Sequence, residues 1–402
     1  MQIVNCLWIF LNFISMSKFI QRQIAPIIDA QKSKFPVLAL TGPRQSGKTT
    51  LLKELFSDYR YVSLENPNTR SFALDDPIGF LNQYDEKVIL DEVQRVPELF
   101  SYIQGRVDES KLMGQYILSG SQNFHLLNSI TQTLAGRVAL FKLLPLDFTE
   151  LKRSDLLMNS YTQAGVKGFY PAIFDRDIDP AIFYANYIQT YIEKDVTELM
   201  NIRDLKLFRT FLSLCAGRAG QLLNFSALAN ECDISHNTAK AWLSILESSY
   251  IVFLLQSYHQ NFNKRLIKSP KLYFYDTGLL THLLGIRTAE ELEENRLKGN
   301  IFENMILAEY QKQNQHQYLH QDHYFWQDSN AHEVDLLMQK GQGFSIFEIK
   351  ATQTISTSLF KEMDRFEEIA APTPVNKTLI YGGAENEKRT KYNVVSWKNV
   401  SG

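Results

Sequence analysis

The feature that most constrains this chain is a glycine-rich loop, GPRQSGKT, at residues 42–49. It follows the apolar run FPVLAL, which is typical of a strand buried on both faces, and precedes the helix-like run TTLLKELF. The loop fits the pattern G-x-x-x-x-G-K-[ST], in which the backbone curls so that successive N–H groups point at phosphate oxygens. A plain glycine turn is the alternative, but a strand before and a helix after favour phosphate binding.

Different residues of the loop are expected to contact different parts of a bound nucleotide. The helix N-terminus places partial positive charge beside the phosphates. We expect Lys48 to reach the β- and γ-phosphates and Thr49 to offer its hydroxyl to Mg²⁺. The sequence therefore predicts ATP and Mg²⁺ as cofactors. The predicted nucleotide-binding residues are Gly42, Pro43, Arg44, Gln45, Ser46, Gly47, Lys48, Thr49 and Thr50.

A second motif should accompany a nucleotide-binding loop, and EKVILDEVQ at residues 86–94 supplies one. Its buried-strand run ends in Asp91 and Glu92, at the edge where ligands bind to parallel sheets. Asp91 is expected to hold Mg²⁺ and Glu92 to polarise the attacking water. Many acidic pairs after a strand are merely solvated, so the prediction depends on the glycine loop upstream.

Strands and helices alternate from this loop onward, which predicts an α/β fold with a parallel sheet and right-handed crossovers. The strand YILSGS ends in Ser119 and Ser121, each a candidate for a polar group near the γ-phosphate or for a helix cap. Arg137 is a candidate for neutralising transition-state charge, in its own site or in that of a neighbouring copy. The second case would require a homo-oligomer, and a surface salt bridge is the alternative to both.

Six segments occur in one order along the chain: LTGPRQSGKTTLL, VILDEVQRVPELF, ILSGSQNF, TLAGRVALFKLLPL, GFYPAIF and TYIEKDV. In this they resemble a large group of prokaryotic AAA-superfamily P-loop ATPases that carry a C-terminal domain of unknown function. The resemblance covers nearly the whole chain from about residue 17. It implies an ATP-binding N-terminal domain, a winged-helix middle and a nuclease-like C-terminal domain.

The middle of the chain independently indicates a helix-turn-helix. FSALANEC is a short amphipathic helix, DIS is a tight turn, and Ser235 is the expected N-cap of a second helix, HNTAKAWLSILES. The runs YIVFLLQSY and KLYFYD are expected to form the two strands of a wing. The predicted buried seam consists of Leu228, Ile234, Ala239, Leu243 and Leu246.

A basic patch on this region is a candidate contact for DNA phosphates, with salt-sensitive affinity. The net charge of −2 provides no global attraction to nucleic acid, so a local patch would have to carry the binding. The alternative is a winged helix that contacts proteins, with lysines that are only solvated. The candidate contacts are His236, Asn237 and Lys240 on the second helix, and Lys264, Arg265, Lys268 and Lys271 between the wing strands.

The last part of the chain contains a pattern similar to that of PD-(D/E)xK nucleases. Glu348 and Lys350 are two apart on the strand GFSIFEIKAT, so both side chains leave the same face. Asp335 lies on the preceding strand and Glu303 on a helix before it. Carboxylates in this arrangement can hold a second divalent metal that activates water against a phosphodiester. The alternative is a fold that persists without activity, as a binding module.

These motifs predict an ATPase domain at 17–160, a helical lid or connector at 161–215, a winged helix at 216–285 and a nuclease-like α/β domain at 286–402. Residues 1–16 form an apolar run without a basic leading region, too short to cross a bilayer. We expect this run to be a non-native upstream extension, with Met16 as the native start; a signal peptide or membrane anchor is the alternative. The three cysteines are not spaced like metal ligands, and they favour a reducing compartment, so we expect a cytoplasmic location. We expect no membrane partner.

Two classes of function are consistent with these features. In the first, the protein is an ATP-driven enzyme acting on nucleic acid, and ATP turnover controls a metal-dependent cleavage site. In the second, it is a nucleotide-switched binding or regulatory protein whose nuclease-like domain is catalytically silent. Both include ATP binding, and Glu92 favours hydrolysis in both.

Overall fold

The computed structural model describes residues 20–121, 133–192, 204–258 and 269–400, and every structural statement below concerns these residues. Their first part is a five-stranded parallel sheet in the order β2-β3-β4-β1-β5. The predicted α/β fold with a parallel sheet is therefore confirmed. The strands are β1 (Val37–Thr41), β2 (Arg60–Ser63), β3 (Val88–Asp91), β4 (Tyr116–Gly120) and β5 (Val138–Lys142).

Strand β1 is apolar because both of its faces are covered. Val37 and Ala39 pack into one core cluster, and Leu38 and Leu40 pack into another on the opposite face, since successive side chains of a strand alternate in direction. Helices α1 and α2 contribute to the second cluster, and α3, α4 and α5 to the first. These helices are α1 (Ala25–Gln31), α2 (Lys48–Leu55), α3 (Pro67–Asp75), α4 (Pro77–Gln83) and α5 (Leu99–Ser110).

A helical region follows this sheet. The run AIFYANYIQTYIEKDVTEL is helical up to residue 192, where it ends in a π-helical turn, and the rest of the run lies outside the described residues. The elements are α6 (Phe148–Arg153), α7 (Tyr161–Lys167), α8 (Pro171–Asp175), α9 (Pro180–Tyr187), the turn Ile188–Ile192 and α10 (Leu205–Ala216).

The two helices predicted for the middle of the chain are confirmed as α11 (Phe225–Glu231) and α12 (His236–Ser248). The Ser235 side chain caps α12 by accepting a hydrogen bond from the Thr238 N–H at 3.0 Å. All five predicted seam residues belong to one core cluster or pack against it. Strands β6 (Val252–Ser257) and β7 (Lys271–Phe274) pair antiparallel, as expected of the two wing strands.

Strand β6 has a second neighbour that the sequence did not indicate. It pairs in parallel with β8, so an eight-stranded sheet in the order β12-β13-β11-β10-β9-β8-β6-β7 crosses the boundary expected at residue 286. Its other strands are β8 (Tyr324–Gln327), β9 (Glu333–Lys340), β10 (Gly343–Lys350), β11 (Val375–Tyr381), β12 (Glu387–Lys388) and β13 (Asn393–Ser396). The helices here are α13 (Thr277–Leu283), α14 (Ala289–Glu294), α15 (Lys298–His316) and α16 (Lys361–Ala370).

Helix α15 joins the two sheets. Near its start, the Asn304 side chain accepts a hydrogen bond from the Phe274 N–H at 2.7 Å and donates one to the Phe274 carbonyl at 2.9 Å, so it pairs with the backbone of β7. At its end, the fully buried His316 has Nδ1 2.7 Å from the Asp147 carboxylate, and its Nε2 accepts from the Leu144 N–H at 3.2 Å. Burial opposes ionisation of Asp147, but the hydrogen bond from His316 lowers its pKa to about 2.

None of the helices within the described ranges has both the length and the apolar character that crossing a lipid bilayer requires.

Replacing Asn304 by alanine should destabilise the fold, because the buried N–H and C=O of Phe274 would both lose their partner. We expect Asn304→Ala to lower the free energy of unfolding by about 2–4 kcal/mol in denaturant titrations. Asn186→Ala, an exposed asparagine in α9, serves as the matched control and should change it by less than about 0.5 kcal/mol. Equal losses in the two variants would contradict this role of Asn304.

Candidate functional site

The loop between β1 and α2 has the backbone geometry that its glycines predict. Gly42 has a φ of 150°, and a Cβ there would lie 2.1 Å from the carbonyl oxygen of Leu143. Gly47 has a φ of 92°, in the left-handed region, at the N-cap of α2. A side chain would clash at the first position and strain the backbone at the second, so both positions require glycine.

Two cations hold carbonyl groups of this loop. Lys48 Nζ donates to the carbonyl oxygens of Gly42 at 3.0 Å and Pro43 at 2.8 Å. Arg22 donates from Nη1 to the carbonyl of Ser46 at 2.7 Å and from Nε to the Glu150 carboxylate at 2.9 Å. These contacts hold the carbonyl groups of the loop in fixed positions beside the start of α2. Sequence reasoning missed Arg22, because only the fold brings this residue from before β1 to the loop.

Asp91, at the end of β3, accepts hydrogen bonds from side chains on α2, β2 and β4. Its Oδ2 accepts hydrogen bonds from Thr49 Oγ1 at 2.9 Å and from the Tyr61 hydroxyl at 2.7 Å, and its Oδ1 accepts from Ser119 Oγ. This convergence follows from the sheet order, since Asp91 on β3 lies in register between Ser63 on β2 and Ser119 on β4. Burial, reinforced by the hydrogen bond to Asp91, raises the pKa of Tyr61.

Glu92 leaves the strand in an unusual backbone conformation. Its φ of 56° and ψ of 40° lie in the left-handed region, which non-glycine residues adopt at a cost. Its Oε2 accepts hydrogen bonds from Gln94 Nε2 at 2.5 Å and from Ser121 Oγ at 3.2 Å. The structure thus brings together both predicted acidic residues and both predicted serines beside the loop.

A pocket of about 610 Å³ opens over the loop. Its lining includes Glu92 and six of the predicted nucleotide-binding residues, while Gly42, Pro43 and Ser46 are buried and do not line it. The helical region after the sheet supplies residues that the sequence did not single out. The predicted lining residues are Arg44, Gln45, Gly47, Lys48, Thr49 and Thr50, and the unpredicted ones from the helical region are Pro171, Ala172, Asp175, Arg176 and Tyr191.

Arg137 does not lie with these groups. Its guanidinium forms two hydrogen bonds with the Asp108 carboxylate, at 2.5 and 2.8 Å, at the surface, and Arg137 is not among the described residues that line the pocket. This contact is the surface salt bridge that was the alternative interpretation of Arg137.

The candidate DNA contacts of the middle region fall into three groups. His236, Asn237 and Lys240 are exposed on α12. Lys264, Arg265 and Lys268 lie outside the described residues. The prediction for Lys271 was wrong, because this residue is buried in β7 and its ammonium contacts carboxylates. Its position at the start of the run KLYFYD could not reveal these contacts, because the carboxylates come from distant parts of the chain.

The four residues predicted for the C-terminal centre do lie together. Lys350 Nζ is 3.0 Å from Asp335 Oδ2 and 2.6 Å from Glu348 Oε1. The backbone N–H of Ile349 donates to Asp335 Oδ2 at 2.7 Å. Glu303 faces them from α15, and its Oε1 accepts a hydrogen bond from the Tyr273 hydroxyl at 2.5 Å.

Two further residues that sequence reasoning missed complete this acidic centre, Glu333 and Lys271. Carboxylate oxygens of Glu303, Glu333 and Asp335 all lie within 4.8 Å of one another. Lys271 Nζ contacts Glu333 Oε1 and lies 3.6 Å from Glu303 Oε1. Glu333 begins β9 two residues before Asp335, so their side chains share a face. This spacing was the one available sequence signal for Glu333.

Crowding of carboxylates makes this centre hard to ionise completely. Burial, with the charge of Asp335, raises the pKa of Glu348 to about 8. Burial likewise raises the pKa of Glu303 to about 7, and the neighbouring charge of Lys271 opposes this rise.

The acidic centre has donors of the kind that a hard divalent cation prefers, namely several carboxylate oxygens within reach of one point. Oε2 of Glu348 is buried and accepts no hydrogen bond from any described residue. The residues present therefore fit a divalent metal such as Mg²⁺ or Mn²⁺.

Three stretches of the chain match models of protein families. Residues 34–152 match an AAA domain, residues 158–290 match a domain of unknown function (DUF8612), and residues 298–400 match another domain of unknown function (DUF4143). The implied combination of an AAA-type domain with a C-terminal domain of unknown function is thereby confirmed.

Solved structures give partial overlaps. A Walker-type ATPase of Pyrococcus abyssi aligns over 67% of this chain and 97% of its own, at 14% identity and a TM-score of 0.45. AMPPCP-bound DnaA from Aquifex aeolicus aligns over 56% of this chain and 86% of its own, at 15% identity and a TM-score of 0.27.

Relatives by sequence align over longer stretches than any single family model. An uncharacterised protein of Haemophilus influenzae is 23% identical over 307 residues, which cover 68% of this chain and 75% of that protein. An uncharacterised protein of Mycobacterium tuberculosis is 31% identical over 328 residues, which cover 80% of this chain and 72% of that protein. The chain therefore belongs to the same family as this mycobacterial protein and is an AAA-type ATPase with a DUF4143 C-terminal domain.

Proposed function

We propose that this chain is a Mg²⁺-dependent ATP hydrolase whose ATPase domain is coupled to a DNA-contacting winged helix and a metal-dependent, nuclease-like centre. The observation that carries the ATPase part is the 2.9 Å contact between Thr49 Oγ1 and Asp91 Oδ2. These are the two oxygens that the motifs assign to Mg²⁺, one from each motif. Their approach over a gap of 42 residues supports a shared ligand.

Each residue of the site has a task in this proposal. Lys48 and the N–H groups at the start of α2 bind the phosphates. Thr49 and Asp91 would hold Mg²⁺, which when bound neutralises charge on the β- and γ-phosphate oxygens. Glu92 orients and polarises the attacking water, and Gln94 and Ser121 fix its carboxylate. Ser119 holds Asp91 in position.

The other regions have proposed roles of their own. We assign the ATPase domain to 17–160, a connector to 161–215, a winged helix to 216–285 and a nuclease-like domain to 286–402. The exposed His236, Asn237 and Lys240 on α12 are the proposed DNA contacts. Arg137 would act on a neighbouring copy only if its contact with Asp108 opened in a homo-oligomer.

Removing the carboxylate charge of Glu92 should separate hydrolysis from binding. We expect Glu92→Gln to lower the ATP turnover rate by about a hundredfold or more, because the amide cannot accept the water's proton. ATP affinity, measured by calorimetry on the same protein, should remain unchanged. The matched control is Glu98→Gln, an exposed glutamate near the same strand end. Equal turnover in wild type and Glu92→Gln would exclude this role for Glu92.

Lys48 should be required for nucleotide affinity. We expect Lys48→Ala to weaken binding of Mg·ATP by about tenfold to a hundredfold, the usual worth of a hydrogen bond to a charged group. Calorimetric titration of the nucleotide-free protein measures this change. Lys34→Ala removes an exposed lysine just before β1 and should leave the affinity unchanged. Retained affinity in Lys48→Ala would contradict the proposed phosphate contact.

A second candidate function is a nucleotide-switched binding or regulatory protein with a catalytically silent C-terminal centre. The observation that favours it is that two ammonium groups, those of Lys271 and Lys350, already contact the carboxylates of that centre. Charges neutralised in this way attract a metal less strongly.

Cleavage of DNA distinguishes the two candidates. Under the first, wild-type protein with Mg²⁺ or Mn²⁺ should cut DNA, and Asp335→Ala and Lys350→Ala should each abolish cutting while ATP turnover persists. Lys340→Ala, at the exposed end of β9, should cut like wild type. Absence of metal-dependent cutting with and without ATP would leave only the binding protein.

A further inference from the structure

Strand β7 places two polar side chains in the acidic centre of the C-terminal region. Lys271 and Tyr273 are two residues apart and share a face of the strand, whereas Leu272 and Phe274 pack into the core cluster of the middle region. The Tyr273 hydroxyl donates to Glu303 Oε1, and the Lys271 ammonium contacts the same oxygen. The strand therefore directs a cation into a centre built by other elements.

The ammonium group of Lys271 contacts carboxylate oxygens that a bound metal would also need. It contacts Glu333 Oε1 and is 3.6 Å from Glu303 Oε1, and both glutamates belong to the group whose oxygens lie within 4.8 Å of one another. A divalent cation binds such oxygens at about 2.0–2.6 Å, so a metal at the lone pairs that face Lys271 would take the place of its ammonium group. Like charges at this spacing in a poorly solvated place also repel strongly.

We propose that Lys271 and a divalent cation compete for Glu303 and Glu333, so that a metal binds fully to these glutamates and Asp335 only when Lys271 has left the centre. This inference rests on the metal centre of the proposed function and adds two things to it. Glu333 becomes a metal ligand, and Lys271 becomes an internal cation that keeps the centre closed.

The two lysines of the centre differ in a way that supports separate roles. The Lys350 side chain is 38% exposed and belongs to the same strand as Glu348, one of the carboxylates that it contacts. The side chain of Lys271 is only 4% exposed and belongs to a strand of the middle region. Oε2 of Glu348 is buried, and no described residue donates a hydrogen bond to it. This oxygen shows that the two ammonium groups do not saturate the centre.

Because Lys271 lies on β7, we infer that the middle region controls metal binding to the acidic centre. Strand β7 is the edge strand of the eight-stranded sheet and pairs with β6, directly after the two helices α11 and α12. Lys271 thus comes from a strand of the middle region of the sequence, whereas Glu303, Glu333 and Asp335 come from later elements.

Binding of Mn²⁺ to the nucleotide-free full-length protein tests the competition. Lys271→Met removes the charge and keeps the length of the side chain, and it should bind Mn²⁺ more tightly than wild type by about tenfold or more, a typical coupling between two competing ligands. The matched control is Lys377→Met, which removes another buried lysine that pairs with two carboxylates, Asp364 and Glu367, away from the centre. It should bind Mn²⁺ like wild type. Free Mn²⁺ is measured by electron paramagnetic resonance.

The outcomes separate this inference from the proposed metal centre. If Lys271→Met binds no more tightly than wild type, while Asp335→Ala abolishes the binding of both, the centre holds metal and the competition is refuted. If neither wild type nor Lys271→Met binds Mn²⁺, the metal centre itself fails and the inference fails with it. Tighter binding that survives Asp335→Ala would place the metal elsewhere and would also refute it.

A second measurement needs no substitution at Lys271. In wild-type protein an amine-specific reagent should label Lys271 slowly without metal and several times faster with saturating Mn²⁺, as read by mass spectrometry, because the metal displaces the ammonium. Labelling of Lys377 should not respond to Mn²⁺. Unchanged protection of Lys271 when Mn²⁺ occupies the centre would overturn the proposal.

Discussion

The rest of the structure depends on one sharp passage of the backbone, from β1 into α2. This turn requires glycine at position 42, because a Cβ there would lie 2.1 Å from the carbonyl oxygen of Leu143. Lys48 and Arg22 then hold the carbonyl groups of the loop. With the loop fixed in this way, Thr49 at the start of α2 can reach Asp91 at the end of β3. The geometry of the proposed nucleotide site therefore follows from the way in which β1 is joined to α2.

Helix α15 connects this site with the acidic centre. Glu303 near its start faces Asp335 and Glu333, and His316 at its end contacts Asp147. Asp147 and Glu150 cap α6, and Glu150 also pairs with Arg22, whose guanidinium reaches the loop. From Glu303 to His316 the helix rises about 20 Å. The proposed ATPase site and the acidic centre are thus connected through one well-buried helix, which contacts groups on both sides.

The sequence predicted what depends on local pattern. Gly42, Lys48, Asp91 and Glu303 could each be identified because a short motif and a strand or helix beside it are enough to place them. It could not predict Arg22, Tyr191 or the true position of Lys271. Each of these is brought to its site by pairing or packing between distant segments, such as the parallel pairing of β6 with β8. From sequence alone, a lysine at the start of a strand is expected to be exposed to solvent, and only the fold shows which carboxylates it contacts.

The most direct test of the central claim is anomalous diffraction from crystals grown with a non-hydrolysable ATP analogue and Mn²⁺. The account predicts a manganese peak between Thr49 Oγ1 and the Asp91 carboxylate, with the γ-phosphate group in hydrogen-bond contact with Lys48 Nζ. A nucleotide bound elsewhere, or a loop without phosphate at saturating analogue, would contradict it.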